Sequence, residues 1–313
     1  ALAPEVPASH VIGEPVGKNT APAIALASLW IEAAGKDAVV AVLPSDHRVE
    51  PADRFREELT RAAEAALRRR AIVTFGVPPT RPETGYGYIE SGDPVEPGSP
   101  FHSVKAFREK PDSANAARYA ADGRHLWNAG MFVFPPAVML EEIRSLKPEF
   151  AGLLDRAAEG ASGGAGGRGA PGAAGAAGDA EAPGAGGGSD AVLERYYADA
   201  PSISIDYAVM ERSSRSLVAR AGFAWDDLGS WAALALPQAR DRSGNVIRGE
   251  AILEDCENVV AFSDGGLLAA LGVQDLVIVR TKDATLVCRR DRAQEVRAIV
   301  EKLKKGKGLD AYL

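Results

Sequence analysis

Asp46 and the pair Asp226-Asp227 stand where two expected strands run out, and carboxylates in such places can manage phosphate chemistry. Asp46 follows Val39-Val40-Ala41-Val42-Leu43, a continuously apolar run that ends in Pro44-Ser45-Asp46-His47. That run predicts a buried strand, and in open α/β sheets ligands sit beyond the carboxyl ends of the strands. The paired acids lie in Trp225-Asp226-Asp227-Leu228-Gly229-Ser230-Trp231, after a strand expected at 216–219. Two carboxylates from distant strand ends can grip one hard divalent ion such as Mg2+, which keeps several waters and takes further oxygens from phosphates. Taken alone, Asp46 reads equally well as a turn residue ahead of Pro51.

The elements that must position these residues alternate between helix and strand. Asn19-Thr20 can cap a helix running through the Ala-rich stretch to Ala34 and stopping at Gly35. A second helix is expected over 51–70, then a strand at 71–77 and an extended arm around Gly85-Tyr86-Gly87-Tyr88. Strand 103–108, helix 113–121, strand 127–134 and helix 136–146 follow, an α/β layout with a mostly parallel sheet expected. Residues 160–188 hold 13 of the 33 glycines and almost no large apolar side chain, so they read as a disordered insertion in one domain. After Arg242 short apolar runs at 258–262, 267–271, 276–279 and 285–287 predict a small β-rich unit, closed by an amphipathic helix at 292–304. The expected division is therefore 1–242 and 243–313.

Bulk properties narrow the function. A net charge of −7 supplies no field for nucleic acid or an anionic membrane. No apolar run approaches the length of a bilayer span and the first residues lack a signal-peptide layout, so a cytoplasmic chain is expected. Cys256 and Cys288 stand outside any metal or disulfide spacing, and His10, His47, His102 and His125 show no ligand spacing among themselves.

Seven blocks in chain order resemble the sugar nucleotidyltransferases, specifically the mannose-1-phosphate guanylyltransferases. They are Gly13 to Ile24, Leu43 to His47, Thr84 to Ile89, Phe107-Arg108-Glu109-Lys110-Pro111, Trp127 to Phe132, Ser202 to Glu211 and Trp225 to Trp231. The resemblance implies a Rossmann-like nucleotidyltransferase sheet with a small β-helix-like carboxy-terminal domain, and the synthesis of GDP-mannose and pyrophosphate from GTP and mannose 1-phosphate. It implies that Asp46 and Asp227 bind Mg2+, with Asp226 a nearby helper. Glu14, Pro15, Gly17, Asn19 and Thr20 fall where the family wraps base and ribose, partly at a helix amino terminus. Gly87, Glu109, Lys110 and Asn128 fall on the sugar-phosphate side. Taken singly, these four also read as turn residues, a solvated ion pair and a strand-end cap. Asp206 is expected near the start of a helix, where a carboxylate needs no catalytic role. Trp127 and Trp231 are expected as core or pocket walls. A homodimer through the carboxy-terminal domain is also implied.

The family's Gly-rich amino-terminal loop has no counterpart here, so a chain truncated before its first strand and inactive alone is expected. Two alternatives stand beside the guanylyltransferase: a catalytically dead homologue that binds sugar nucleotide or regulates a partner, and the same chemistry on another sugar 1-phosphate.

Overall fold

The computed structural model describes residues 11–35, 38–163, 187–229, 240–306, 309 and 312. The chain divides into two units, one formed by Ala1–Pro44 with Glu50–Ala224 and the other by Ser45–Val49 with Trp225–Leu313.

The first unit is built on a six-stranded sheet. Its strands are β1 (Val40–Val42), β3 (Ile72–Val77), β4 (Tyr88–Pro94), β5 (Phe101–Arg108), β6 (His125–Phe134) and β7 (Ser216–Arg220), in the order β1-β6-β3-β7-β5-β4. Within this sheet, among the described residues, only β3 and β7 pair in parallel, so the expectation of a mostly parallel sheet is corrected. β4 and β5 form an antiparallel hairpin, and β6 runs antiparallel to β1, β3 and β4. Apolar runs report burial on both faces and leave strand direction open, which is why the sequence misleads on this point. β1 lies at the edge of this sheet, hydrogen-bonded to β6.

Helices cover both faces. α1 (Thr20–Ala33) begins at Asn19, whose Oδ1 accepts from Thr20 N at 3.0 Å, and its Ile24, Ala25 and Leu29 are buried. They share a core with Met139 and Ile143 of α4 (Pro136–Leu146), Leu154 of α5 (Ala151–Gly163) and Tyr196 of α6 (Gly187–Asp199). Ile72 of β3 belongs to this core, while Phe75, of opposite parity, faces the other way. There it meets Phe223 and Phe55 of α2 (Ala52–Arg69), with ring centroids 5.6 and 6.3 Å away. α3 (Ser113–Ala121) is capped by Asp112, which accepts from Asn115 N at 2.8 Å. Residues 164–186 of the Gly-rich stretch lie outside the described residues, but its edges are helical, α5 reaching Gly163 and α6 starting at Gly187.

The second unit opens with β2 (Arg48–Glu50) paired to β8 (Ala224–Asp226). It continues as stacked coils: β9 (Val246–Arg248), β11 (Val260–Ser263) and β13 (Leu276–Arg280) pair in parallel, and so do β10 (Ala251–Glu254) and β12 (Leu268–Leu271). Val246, Val260 and Val277 stand in one register, so identical positions of successive coils fill one core. The corners need polar and left-handed residues. Buried Asn245 donates to Cys256 O at 2.9 Å and accepts from Val259 N at 2.9 Å, replacing lost ladder bonds. β14 (Thr285–Arg289) closes the sheet antiparallel to β13. The terminal helix expected at 292–304 is a 3-10 turn over Arg290–Val296 followed by α7 (Arg297–Lys305).

Gly249 shows how tight the coils are. It adopts φ +88°, and a Cβ there would run into the carbonyl oxygen of Ser263. Gly249→Ala is expected to lower stability by about 1–3 kcal/mol, a strain penalty measurable by urea unfolding followed with circular dichroism. An unchanged midpoint would refute this account of the corner.

Candidate active site

In the first unit the structure brings Gly87, Glu109, Lys110 and Asn128 together. Gly87 O accepts from Asn128 N at 2.8 Å, which ties the extended arm to β6. A Cβ on Gly87 would stand 2.5 Å from Glu109 Oε2, so a larger residue there would displace that carboxylate from its present position. The Glu109 side chain is one-tenth exposed and accepts from Lys110 Nζ at 2.6 Å. Lys110 itself has φ 46°.

A fifth member, Asp206, joins them. The structure places it in a π-helical turn, Asp206–Met210, where its Oδ1 accepts from Asn128 Nδ2 at 2.9 Å. Asn128 Oδ1 in turn accepts from Gly130 N at 3.1 Å, so the amide is fixed at both ends. Burial, reinforced by the charge of Glu109, pushes the Asp206 carboxyl up to about 6. Sequence alone sets Asp206 aside because a carboxylate at a helix start is ordinary. The signal that could have found it is its place in the Ser202 to Glu211 block. Trp127 is buried, with Tyr86 edge-on to its ring at 5.3 Å and the Arg81 guanidinium over it at 5.2 Å, as a wall residue should be. Trp231 lies outside the described residues.

Glu14, Pro15, Gly17, Asn19 and Thr20 form the approach to α1. Thr20 Oγ1 accepts from Ile205 N at 2.9 Å, and Lys18 O accepts from Ile203 N at 3.2 Å. Glu14 Oε1 accepts from the Tyr197 hydroxyl at 2.6 Å. Pro15 and Gly17 are exposed, and a Cβ on Gly17 would meet nothing within 4 Å, so sterics make no demand for glycine there.

Asp46 and Asp227 belong to the second unit, gathered around His47. Trp225 Nε1 donates to His47 Nδ1 at 3.0 Å, so the neutral ring carries its proton on Nε2, which lies 4.0 Å from Asp46 Oδ1. Burial holds the His47 pKa below its ordinary value despite Asp46, Asp227 and Asp226, all of which favour the cation. The ring therefore stays neutral and leaves the carboxylates' charge uncancelled. Backbone N–H groups orient the pair: Leu228 N donates to Asp226 Oδ1 at 2.8 Å and Gly229 N to Asp227 Oδ1 at 2.9 Å. The strand that delivers them is preceded by a turn held in the first unit. There buried Glu58 accepts from Gly222 N at 3.1 Å and from Arg54 Nε at 2.7 Å.

Seven described residues other than glycine have positive φ. Arg70 ends α2, and Asp255, Asn258 and Asp275 turn coil corners. The remaining three, Asn19, Lys110 and Leu228, fall one each in the three candidate segments. Left-handed backbone at such positions costs about 1–3 kcal/mol each and persists where the surroundings impose it, most often at ligand sites.

The family model for nucleotidyl transferase matches residues 6–243, and that for the MannoseP isomerase/GMP-like β-helix domain matches residues 249–303. The chain belongs to the nucleotidyl transferase family. It is 40% identical over 300 residues to the xanthan biosynthesis protein XanB of Xanthomonas campestris pv. campestris strain B100, covering 95% of this chain and 57% of that protein. It is 38% identical over 297 residues to the mannose-1-phosphate guanylyltransferase of Escherichia coli, covering 95% and 58%. The crystal structure of the mannose-1-phosphate geranyltransferase from Thermus thermophilus superposes with a TM-score of 0.75 at 36% identity, covering 94% of this chain and 77% of that one. The chain thus spans a little over half the length of the curated relatives it matches.

The Asp206 carboxyl makes stability depend on pH. Its folded pKa of about 6 lies above the unfolded value of about 3.9, so its stabilising contribution is complete below about pH 4. That contribution is lost as pH rises through about 6, and two units correspond to a change on the order of 2–3 kcal/mol. Asp206→Asn is expected to flatten the fall between pH 4.5 and 7 in urea unfolding. A variant with the same slope as the unaltered chain would contradict this.

Proposed function

We propose that this chain joins GTP and mannose 1-phosphate into GDP-mannose with release of pyrophosphate. The observation that supports the reading best is the polar cluster of Gly87, Glu109, Asn128 and Asp206 with the Lys110 ammonium at its edge. Two carboxylates and an oriented amide suit neighbouring hydroxyls, and a half-exposed cation suits a phosphate. That combination fits a sugar phosphate better than a neutral or apolar ligand.

In this mechanism a phosphate oxygen of mannose 1-phosphate attacks the α-phosphorus of GTP in line, and pyrophosphate departs with the bonding electrons. Glu109 and Asn128 hold sugar hydroxyls, Gly87 keeps the backbone close and Lys110 meets the sugar's phosphate. Glu14, Pro15, Gly17, Asn19 and Thr20 hold base and ribose, with the positive end of α1 behind them. No enzyme nucleophile is needed.

Asp46 and Asp227 would hold Mg2+. The donor set suits that ion in its chemistry: both groups are carboxylates, hard oxygen donors, and both act electrostatically on the same histidine. Mg2+ habitually completes its shell with water and phosphate oxygens. When bound, it would neutralise charge on the reacting phosphates.

Residues 1–242 would form the catalytic domain and 243–313 an accessory domain. Exposed Ile247, Ile252 and Leu271 support a homodimer interface on the latter. Both cysteines are free thiols, which supports a reducing, cytoplasmic setting. A second reading, a non-catalytic sugar-nucleotide binder, is favoured by the 84% exposure of the Asp46 side chain.

Pyrophosphate release should require GTP, mannose 1-phosphate and Mg2+ together and should stop with EDTA. Asp227→Asn should lower kcat by about 10²–10³-fold, the usual effect of removing one electrostatic stabiliser. Nucleotide binding without turnover in a folded chain would favour the second reading. Turnover of glucose 1-phosphate in preference to mannose 1-phosphate would overturn the substrate assignment.

A further inference from the structure

We infer that Tyr197 of α6 is a positioning residue that aims the Glu14 carboxylate at the nucleobase, and that the GTP preference of the proposed reaction depends on this contact. The inference rests on the reading of residues 14–20 as the nucleotide segment and deepens it.

Tyr197 is 2% exposed, and its one polar atom ends on Glu14 Oε1 at 2.6 Å. Its neighbour Tyr196 solves the same problem differently, by donating to the backbone oxygen of Pro22 at 3.0 Å. A buried phenol therefore had a backbone partner available in this region, yet Tyr197 holds a solvent-exposed carboxylate instead. Burial, and then the hydrogen bond to Glu14 and its charge, raise the Tyr197 pKa, so the hydroxyl remains a donor at neutral pH.

Glu14 has no cationic partner among the described residues, and its Oε2 has no hydrogen bond there either. Its charge is directed by Tyr197 without being neutralised. A carboxylate so held accepts well from two parallel donors. Guanine offers N1–H beside its exocyclic N2–H on one edge, inosine keeps N1–H but lacks the amino group, and adenine presents a lone pair at N1. The carboxylate thus rewards guanine twice, inosine once, and repels adenine. A site whose polar groups are left unpaired by the wrong ligand discriminates strongly.

The rest of the segment keeps this arrangement rigid. Lys18 O and Ala21 N bond to Ile203 at 3.2 and 3.1 Å, so the tyrosine pair and the 203–205 strip support one face of residues 14–22. Tyr197 lies on the helix that begins at the carboxy-terminal edge of the Gly-rich stretch, so that helix takes part in nucleotide recognition.

The test is calorimetric binding of GTP, ITP and ATP with Mg2+ to the whole chain, to Tyr197→Phe, to Glu14→Gln and to the double variant, with folding checked by circular dichroism. The unaltered chain should prefer GTP over ITP and ITP over ATP. Tyr197→Phe keeps the ring and loses one charge-assisted hydrogen bond, so the GTP:ATP preference should fall by about tenfold. In the double variant the tyrosine change should add nothing to Glu14→Gln, because it acts through Glu14. A folded Tyr197→Phe with unchanged nucleotide preferences, or fully additive effects, would overturn the inference. Equal binding of the three nucleotides would overturn base selection by Glu14. Failure to bind any of them would overturn the nucleotide reading itself and this inference with it.

Discussion

Three backbone-linked hydrogen bonds, Lys18 O with Ile203 N, Ala21 N with Ile203 O and Thr20 Oγ1 with Ile205 N, fasten the start of α1 to the strip 203–205. Nearly everything assigned to the first unit's site depends on that junction. On one side it holds Asn19 and Thr20 at the helix amino terminus, where unsatisfied N–H groups and the helix dipole face the approach segment. On the other it leads within one residue into Asp206, whose carboxylate fixes the Asn128 amide. Residues 196–210 therefore back both the segment before α1 and the polar cluster on β6. Because these bonds join positions about 185 residues apart in the chain, the site forms only when the whole first unit has folded.

Burial shifts a titratable group that stands beside carboxylates in each unit. The Asp206 carboxyl is buried beside Glu109, and burial and that charge together push its pKa up to about 6. Around His47, desolvation lowers the imidazole pKa despite the neighbouring aspartates, and the Trp225 N–H donates to Nδ1.

Much of this is legible before any coordinates. α1 begins at Asn19-Thr20 as its capping residues predict, and Asp46 does follow a strand, but β1 is half-exposed at the sheet edge where the apolar run predicts a buried one. Gly87, Glu109, Lys110 and Asn128, which singly read as turn and surface residues, form one cluster because β4, β5 and β6 pair side by side. Strand direction is not legible, since continuous apolar runs look alike in parallel and antiparallel surroundings. Nor are Asp206 and Tyr197. A carboxylate at a helical turn and a tyrosine in a helix have ordinary local explanations, and only long-range pairing with Asn128 and Glu14 distinguishes them. The short strands β9 and β10 escape a sequence reading because coil repeats of this kind leave only three or four residues per side.

A crystal structure of this chain grown with GTP, mannose 1-phosphate and Mg2+ tests the central claim most directly. The account predicts sugar hydroxyls against Glu109 and Asn128, the sugar's phosphate at Lys110 and the base edge against Glu14. Density for the sugar phosphate elsewhere, with this cluster bare, would contradict it.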